Sequence, residues 1–222
     1  MTIFFKAVRM DGTDFYTGRV DYAAALASGE PLPELSGDVA FPGPGWYHLA
    51  TVPTACVGMS WPCRLFEVEP VGDVFMDNAH PRKIGSRSVR VLREIEAHHV
   101  FGPQGEQVAA LIERCRTLSV AGLDRLAATW YATRGSVPGV ARGSASAAAS
   151  AADRHVALTV ARYAAGDAGD AAVALLCRDL IGQHDGWDQD AYDRLTGPWR
   201  DVIGPIHPDD LVRRTLEGDS DE

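Results

Sequence analysis

Arg64-Leu65-Phe66-Glu67-Val68-Glu69-Pro70 alternates polar and apolar side chains and closes on a proline. Period-two patterning places one set of residues on each face of a strand, and proline ends a ladder because it lacks the backbone donor. The same alternation returns in Ser88-Val89-Arg90-Val91-Leu92-Arg93-Glu94-Ile95. Working outward, Phe4-Phe5-Lys6-Ala7-Val8-Arg9 is aromatic, β-prone and closed by the turn dipeptide Asp11-Gly12. Trp46-Tyr47-His48-Leu49-Ala50 follows the breaker run Phe41-Pro42-Gly43-Pro44-Gly45. Helical candidates at 21–27 and 52–58 lie between these strands. The pattern predicts an α+β domain over residues 1–100 with an antiparallel-leaning sheet.

Beyond residue 100 the period changes. Val108, Leu111, Ile112 and Cys115 recur at helical spacing within 106–118, and Leu123, Leu126, Ala127 and Trp130 form a second stripe. Residues 135–152 are Ala, Ser and Gly-rich, which suits either a flexible linker or a helix with a small-residue face. Helical spacing resumes over 153–181, with Val156, Val160, Tyr163, Val173, Leu176 and Leu180, and Gly166 and Gly169 divide it into two helices. Residues 190–203 read as a helical hairpin interrupted at Gly197-Pro198. The expectation is an all-α domain over 104–217 and an acidic tail at 218–222, with no strand from beyond residue 110.

Composition narrows the function classes. The 222 residues carry a formal net charge of −9, which repels phosphate backbones at long range and disfavours nucleic acid as a partner. The basic residues between Arg82 and Arg93 would be split by alternation across both faces of a sheet. No apolar run approaches the roughly 20 residues of a membrane span. The first residues lack the basic and apolar regions of a secretion signal, so a cytoplasmic protein is expected. Cys56, Cys63, Cys115 and Cys177 form no C-x-x-C pair; they are expected to be reduced and structural, without a metal site. Dinucleotide-binding, phosphate-loop, serine-hydrolase and zinc-protease motifs are absent from the sequence. Adjacent His98 and His99 point apart on any regular element. His207-Pro208-Asp209-Asp210 reads as a turn with Asp209 capping a helix start, and Trp130, Trp187 and Trp199 read as core.

Three pieces in order, Phe15-Tyr16-Thr17-Gly18, Trp46-Tyr47-His48-Leu49-Ala50-Thr51 and Arg64-Leu65-Phe66-Glu67-Val68-Glu69-Pro70-Val71-Gly72, resemble the rifampin ADP-ribosyltransferases over residues 4–95. The best-matching stretch is Val68-Glu69-Pro70-Val71-Gly72-Asp73-Val74-Phe75-Met76-Asp77-Asn78. The resemblance implies the ADP-ribosyltransferase fold and transfer of ADP-ribose from NAD, used as substrate, to an acceptor. It implies Tyr47 as the ring stacked on nicotinamide and Asp77 as the catalytic acid. The first-strand residue that grips NAD would be Arg9, or Asp11 if Asp11-Gly12-Thr13 matches the family's H-G-T, and Gly12, Thr13 and His48 would help to hold the NAD. The family has a histidine in its first strand where this chain has none before His48, so the acceptor stays open. The helical half resembles helical tails of uncharacterised actinobacterial and phage proteins, which implies lineage and no activity.

The chemistry asked of these residues is consistent. Cleaving the nicotinamide–ribose bond develops positive charge on the sugar, which a carboxylate stabilises, and the same group accepts a proton from the attacking hydroxyl. The implied site therefore requires Arg9, Tyr47 and Asp77 to converge on one cleft, with a turn after Pro70 folding Asp77 over the strand ends. The competing expectation is a non-catalytic protein-binding module: a degenerate α+β domain carried on a helical scaffold that meets a protein partner.

Overall fold

The alternation around Phe66 runs on into a 14-residue strand. In the computed structural model, which describes residues 2–37, 40–77, 80–133 and 139–210, the chain is α+β and divides into two compact units, Met1–Gly102 and Pro103–Glu222.

The first unit contains β1 (Phe4–Val8), α1 (Tyr22–Ser28), β2 (Tyr47–Ala50), β3 (Arg64–Asp77) and β4 (His80–Ile95). All pairings are antiparallel, and the strands close into a barrel in the order β1-β2-β4-β3. Phe4, Val8, Phe66, Val68, Val89 and Val91 fill it together with Tyr47, Leu49 and Ile84, and Tyr22 and Ala25 of α1 pack into the same core. Two caps define α1: the Asp21 carboxylate accepts from the Ala24 N–H, and Gly29 takes the left-handed conformation at the other end. Gly12 lies so close to α1 that a Cβ there would sit 2.5 Å from that of Ala23. The 52–58 segment forms only a short 3-10 turn, Pro53–Ala55.

Pro70 does not end β3, contrary to the sequence expectation. Its position explains the tolerance. Pairing with β1 stops at Phe4↔Val68, so Pro70 lies where β3 has become an edge strand. From there β3 and β4 form an arm with register shifts between Val71 and Val74 and between Met76 and Asp77.

The second unit consists of α2 (Gly105–Arg116), α3 (Val120–Thr133), α4 (Gly139–Ala151), α5 (His155–Ala165), α6 (Gly169–Leu176) and α7 (Gln189–Ile203). No strand is found beyond Ile95 among the described residues. All of α6 except Asp170 is buried, as a central helix requires. The Ala-rich segment is helical from Gly139: Ala141, Ala145, Ala148 and Ala149 are buried, and the Ala145 carbonyl accepts from the Cys177 thiol at 3.3 Å. A two-pronged ion pair ties Arg154 to Asp179 at 2.7 and 2.6 Å.

Three local expectations are corrected. Residues 189–203 form one helix, not a hairpin, although Pro198 lies inside it; burial of Leu195, Pro198 and Trp199 on one side offsets the single lost helix bond. Tyr163 is 83% exposed rather than core-facing. The carboxylate that collects the Ile206 and His207 N–H groups is Asp210, not Asp209. Trp187 and Trp199 are core residues, whereas the side chain of Trp130 and the 218–222 tail lie outside the described residues. All four cysteines are free, and burial pushes each thiol up to about 11 or 12.

Candidate functional site

Tyr47 and His48 are neighbours on β2, so their side chains leave opposite faces of the strand. Tyr47 faces the barrel core, 4% exposed, and its hydroxyl donates to the Pro33 carbonyl at 2.8 Å. Burial raises its phenol above the ordinary value. Both the ring and the hydroxyl therefore serve packing. His48 faces outward, where its ring meets that of Phe41 edge-on at 5.3 Å and its Nε2 lies 3.1 Å from the Gly43 carbonyl. Burial lowers its proton affinity; the Gly43 bond opposes that, Lys83 and Lys6 add to the lowering, and the Asp77 carboxylate opposes it. His48 and Asp77 are thus close enough to interact electrostatically.

Asp77 is buried at the far end of β3, where it pairs with His80. Arg9 follows the other end: Val8 is opposite Arg64 in the β1–β3 ladder. The two ends of the 14-residue β3 are about 40 Å apart along the strand path at roughly 3.3 Å per residue. Arg9 itself is exposed and donates to the Phe15 carbonyl at 3.0 Å. Gly12 and Thr13 form the adjoining turn, with the Thr13 N–H and hydroxyl both bound to Asp11. The centre of that loop is Asp14, whose buried carboxylate accepts from Thr17, Arg19 and Val20. The structure brings His48 and Asp77 together, turns Tyr47 to the opposite face of β2, and leaves Arg9, Gly12 and Thr13 beside the opposite end of β3.

A different set of residues surrounds open space. A cavity of about 600 Å³ lies between the segment carrying Glu34, Gly37, Ala40 and Trp46 and the root of the arm, where Val71, Gly72, Asp73, Phe75 and Arg87 line it. That volume falls in the range of small-ligand pockets. Its aromatic wall is built by register. His48, Gly85 and Phe75 are aligned across β2, β4 and β3. The absent side chain of Gly85 admits the Phe41 ring, which a Cβ would meet at 2.5 Å. Trp46 packs edge-on against both Phe75 and Phe41, with centroids 4.5 and 5.9 Å away. Arg87 covers Trp46 with its guanidinium 3.5 Å from the ring centroid and donates to the Gly45 and Gly37 carbonyls at 2.6 and 2.8 Å. Glu34 and Asp73 are both exposed.

Beyond the cavity, the arm exposes Val71, Val74, Phe75 and Met76 at 40, 43, 42 and 62%. Among the described residues, β3 pairs only with β4 from Glu69 onward, which leaves its other edge unpaired. Sequence reading missed this surface, although the run of three apolar residues, Val74-Phe75-Met76, between Asp73 and Asp77 and the adjoining Gly-Pro-Gly-Trp segment were the available signals. No grouping of His, Cys, Asp and Glu suited to a metal is found among the described residues, and no helix there is long and apolar enough to cross a membrane. Comparison with family models, curated proteins and solved structures gives no match.

Proposed function

We propose that the first unit is a protein-binding module whose docking surface is the β3–β4 arm. The observation that carries this reading is the arm itself: exposed apolar side chains along an open strand edge, next to a preformed cavity. Solvated proteins usually blunt such edges, and an extended polypeptide gains both main-chain hydrogen bonds and side-chain pockets by adding to one. Among the described residues of the second unit, the exposed large apolar side chains are Val120, Val140 and Tyr163, one on each of α3, α4 and α5, whereas the arm carries four on one strand, which favours the first unit as the partner surface.

The transferase reading draws support from the nearness of His48 and Asp77. It loses support from Tyr47, whose hydroxyl and ring are committed to the core, and from the placement of Arg9 beside the far end of β3. Selection of random peptides displayed against the full chain separates the two readings. A binding module yields peptides whose affinity falls roughly tenfold with Met76→Glu, the scale of a lost apolar anchor, and is indifferent to millimolar NAD. Saturable NAD binding that Tyr47→Ala removes, with NAD cleavage that Asp77→Ala abolishes, would establish the transferase instead.

A further inference from the structure

We infer that the cavity at the root of the arm accepts a cationic side chain, so the segment that docks on this module is basic; this inference rests on the binding-module reading. Three features of the cavity converge on a cation. Phe75, exposed on its wall beside Trp46, presents ring surface of the kind that attracts ammonium and guanidinium groups. The unit already demonstrates the preference, since the Arg87 guanidinium lies 3.5 Å from the Trp46 ring centroid.

The charges at the rim point the same way. Arg87 directs its Nη groups to the Gly37 and Gly45 carbonyls, which keeps them away from the carboxylates in the same cavity. Among the described residues, neither Glu34 nor Asp73 has a hydrogen bond or ion pair. Among the described residues, the lining therefore offers the unmatched carboxylates of Glu34 and Asp73 beside the Arg87 guanidinium, which is committed to backbone carbonyls. Over longer distances the net charge of −9 draws a basic partner and repels an acidic one. A guanidinium with its alkyl stem matches the chemistry of such a lining, which supplies apolar Val71 and Phe75 for the stem and the Asp73 and Glu34 carboxylates for the head.

The test follows the indole N–H signal of Trp46 in the isotope-labelled full chain, assigned through Trp46→Phe. The probes are an acetylated glycine-arginine-glycine amide, its citrulline counterpart, and methylguanidinium. The expected result is a saturable shift with the arginine peptide, a much smaller one with citrulline, and affinity roughly fivefold weaker in the Glu34→Gln/Asp73→Asn double variant. Equal responses to arginine and citrulline, or an unchanged affinity in the double variant, overturn the inference. Methylguanidinium binding as tightly as the peptide makes the site one for free small cations and overturns the basic segment as its occupant. If displayed peptides still require Met76 while arginine and citrulline are equivalent, the module stands and the cation fails. If neither displayed peptides nor the arginine probe bind, both fall.

Discussion

Arg87 holds its guanidinium 3.5 Å from the ring centroid of Trp46 while bonding the Gly37 and Gly45 carbonyls, so one β4 side chain fastens the segment that forms the cavity's outer wall. Replacing it removes a stacked cation and two charged hydrogen bonds. Arg87→Ala is expected to cost about 2 kcal/mol in denaturant unfolding and to raise amide exchange around Gly45. Arg87→Lys keeps the charge but loses the planar fork, and should recover less than half of that loss.

Gly85 is required by contact. Its neighbour is the Phe41 ring, placed where a Cβ would approach to 2.5 Å. Gly85→Ala should destabilise the unit by about 1–3 kcal/mol through overpacking. Because the clash is with one side chain, adding Phe41→Ala to Gly85→Ala should leave the pair less than additive, which a double-mutant cycle in urea measures.

Asp14 gives the first unit an acid-range pH dependence. Burial raises its carboxyl, but bonds from Thr17, Val20 and Arg19 outweigh that and bring it down to about 2 from the ordinary 3.8. A depressed folded value means the unfolded chain binds the proton first as pH falls. The contribution, about 2 kcal/mol, is complete above the ordinary value and fades as pH drops toward 2. Wild type should therefore exceed Asp14→Asn in stability at neutral pH, and the gap should narrow over that window in pH-resolved unfolding.

In the second unit, Arg154 donates to both oxygens of Asp179 and to the Leu176 carbonyl from a buried position. Asp179→Ala strands that guanidinium. A loss of about 3 kcal/mol is expected, with partial recovery when Arg154→Met is added, because removing both charges also removes the unpaired one.

The legible parts of the fold are those where burial is one-sided. Phe4, Val8, Phe66, Val68, Val89 and Val91 announce strands because each points into the same core. Residues 71–76 carry no such mark: all six are exposed whichever way they alternate, so no polar–apolar pattern records the strand, and Pro70 reads as a stop when pairing with β1 has simply ended there. The Ala-rich α4 is equally opaque, since small residues suit a linker until a close-packed partner such as Cys177 is known. At the site, a strand aromatic such as Tyr47 does not declare whether it faces in or out, because one step of register reverses the answer. His48 and Asp77 are named separately, from the resemblance, and no spacing along the chain pairs them. The cavity was not legible, because Glu34, Trp46, Asp73 and Arg87 meet through a loop and a bent hairpin rather than through any spacing along the chain.

Polypeptide binding by the arm and its cavity, with no part for NAD, is what we propose for the first unit. Calorimetric titration of the full chain with a display-selected peptide, with and without millimolar NAD, tests it most directly. The expected result is saturable heat from the peptide, an unchanged dissociation constant in the presence of NAD, loss of binding in Met76→Glu, and no heat from NAD alone. Saturable NAD heat that disappears in Tyr47→Ala, with no peptide binding that depends on Met76, would contradict it.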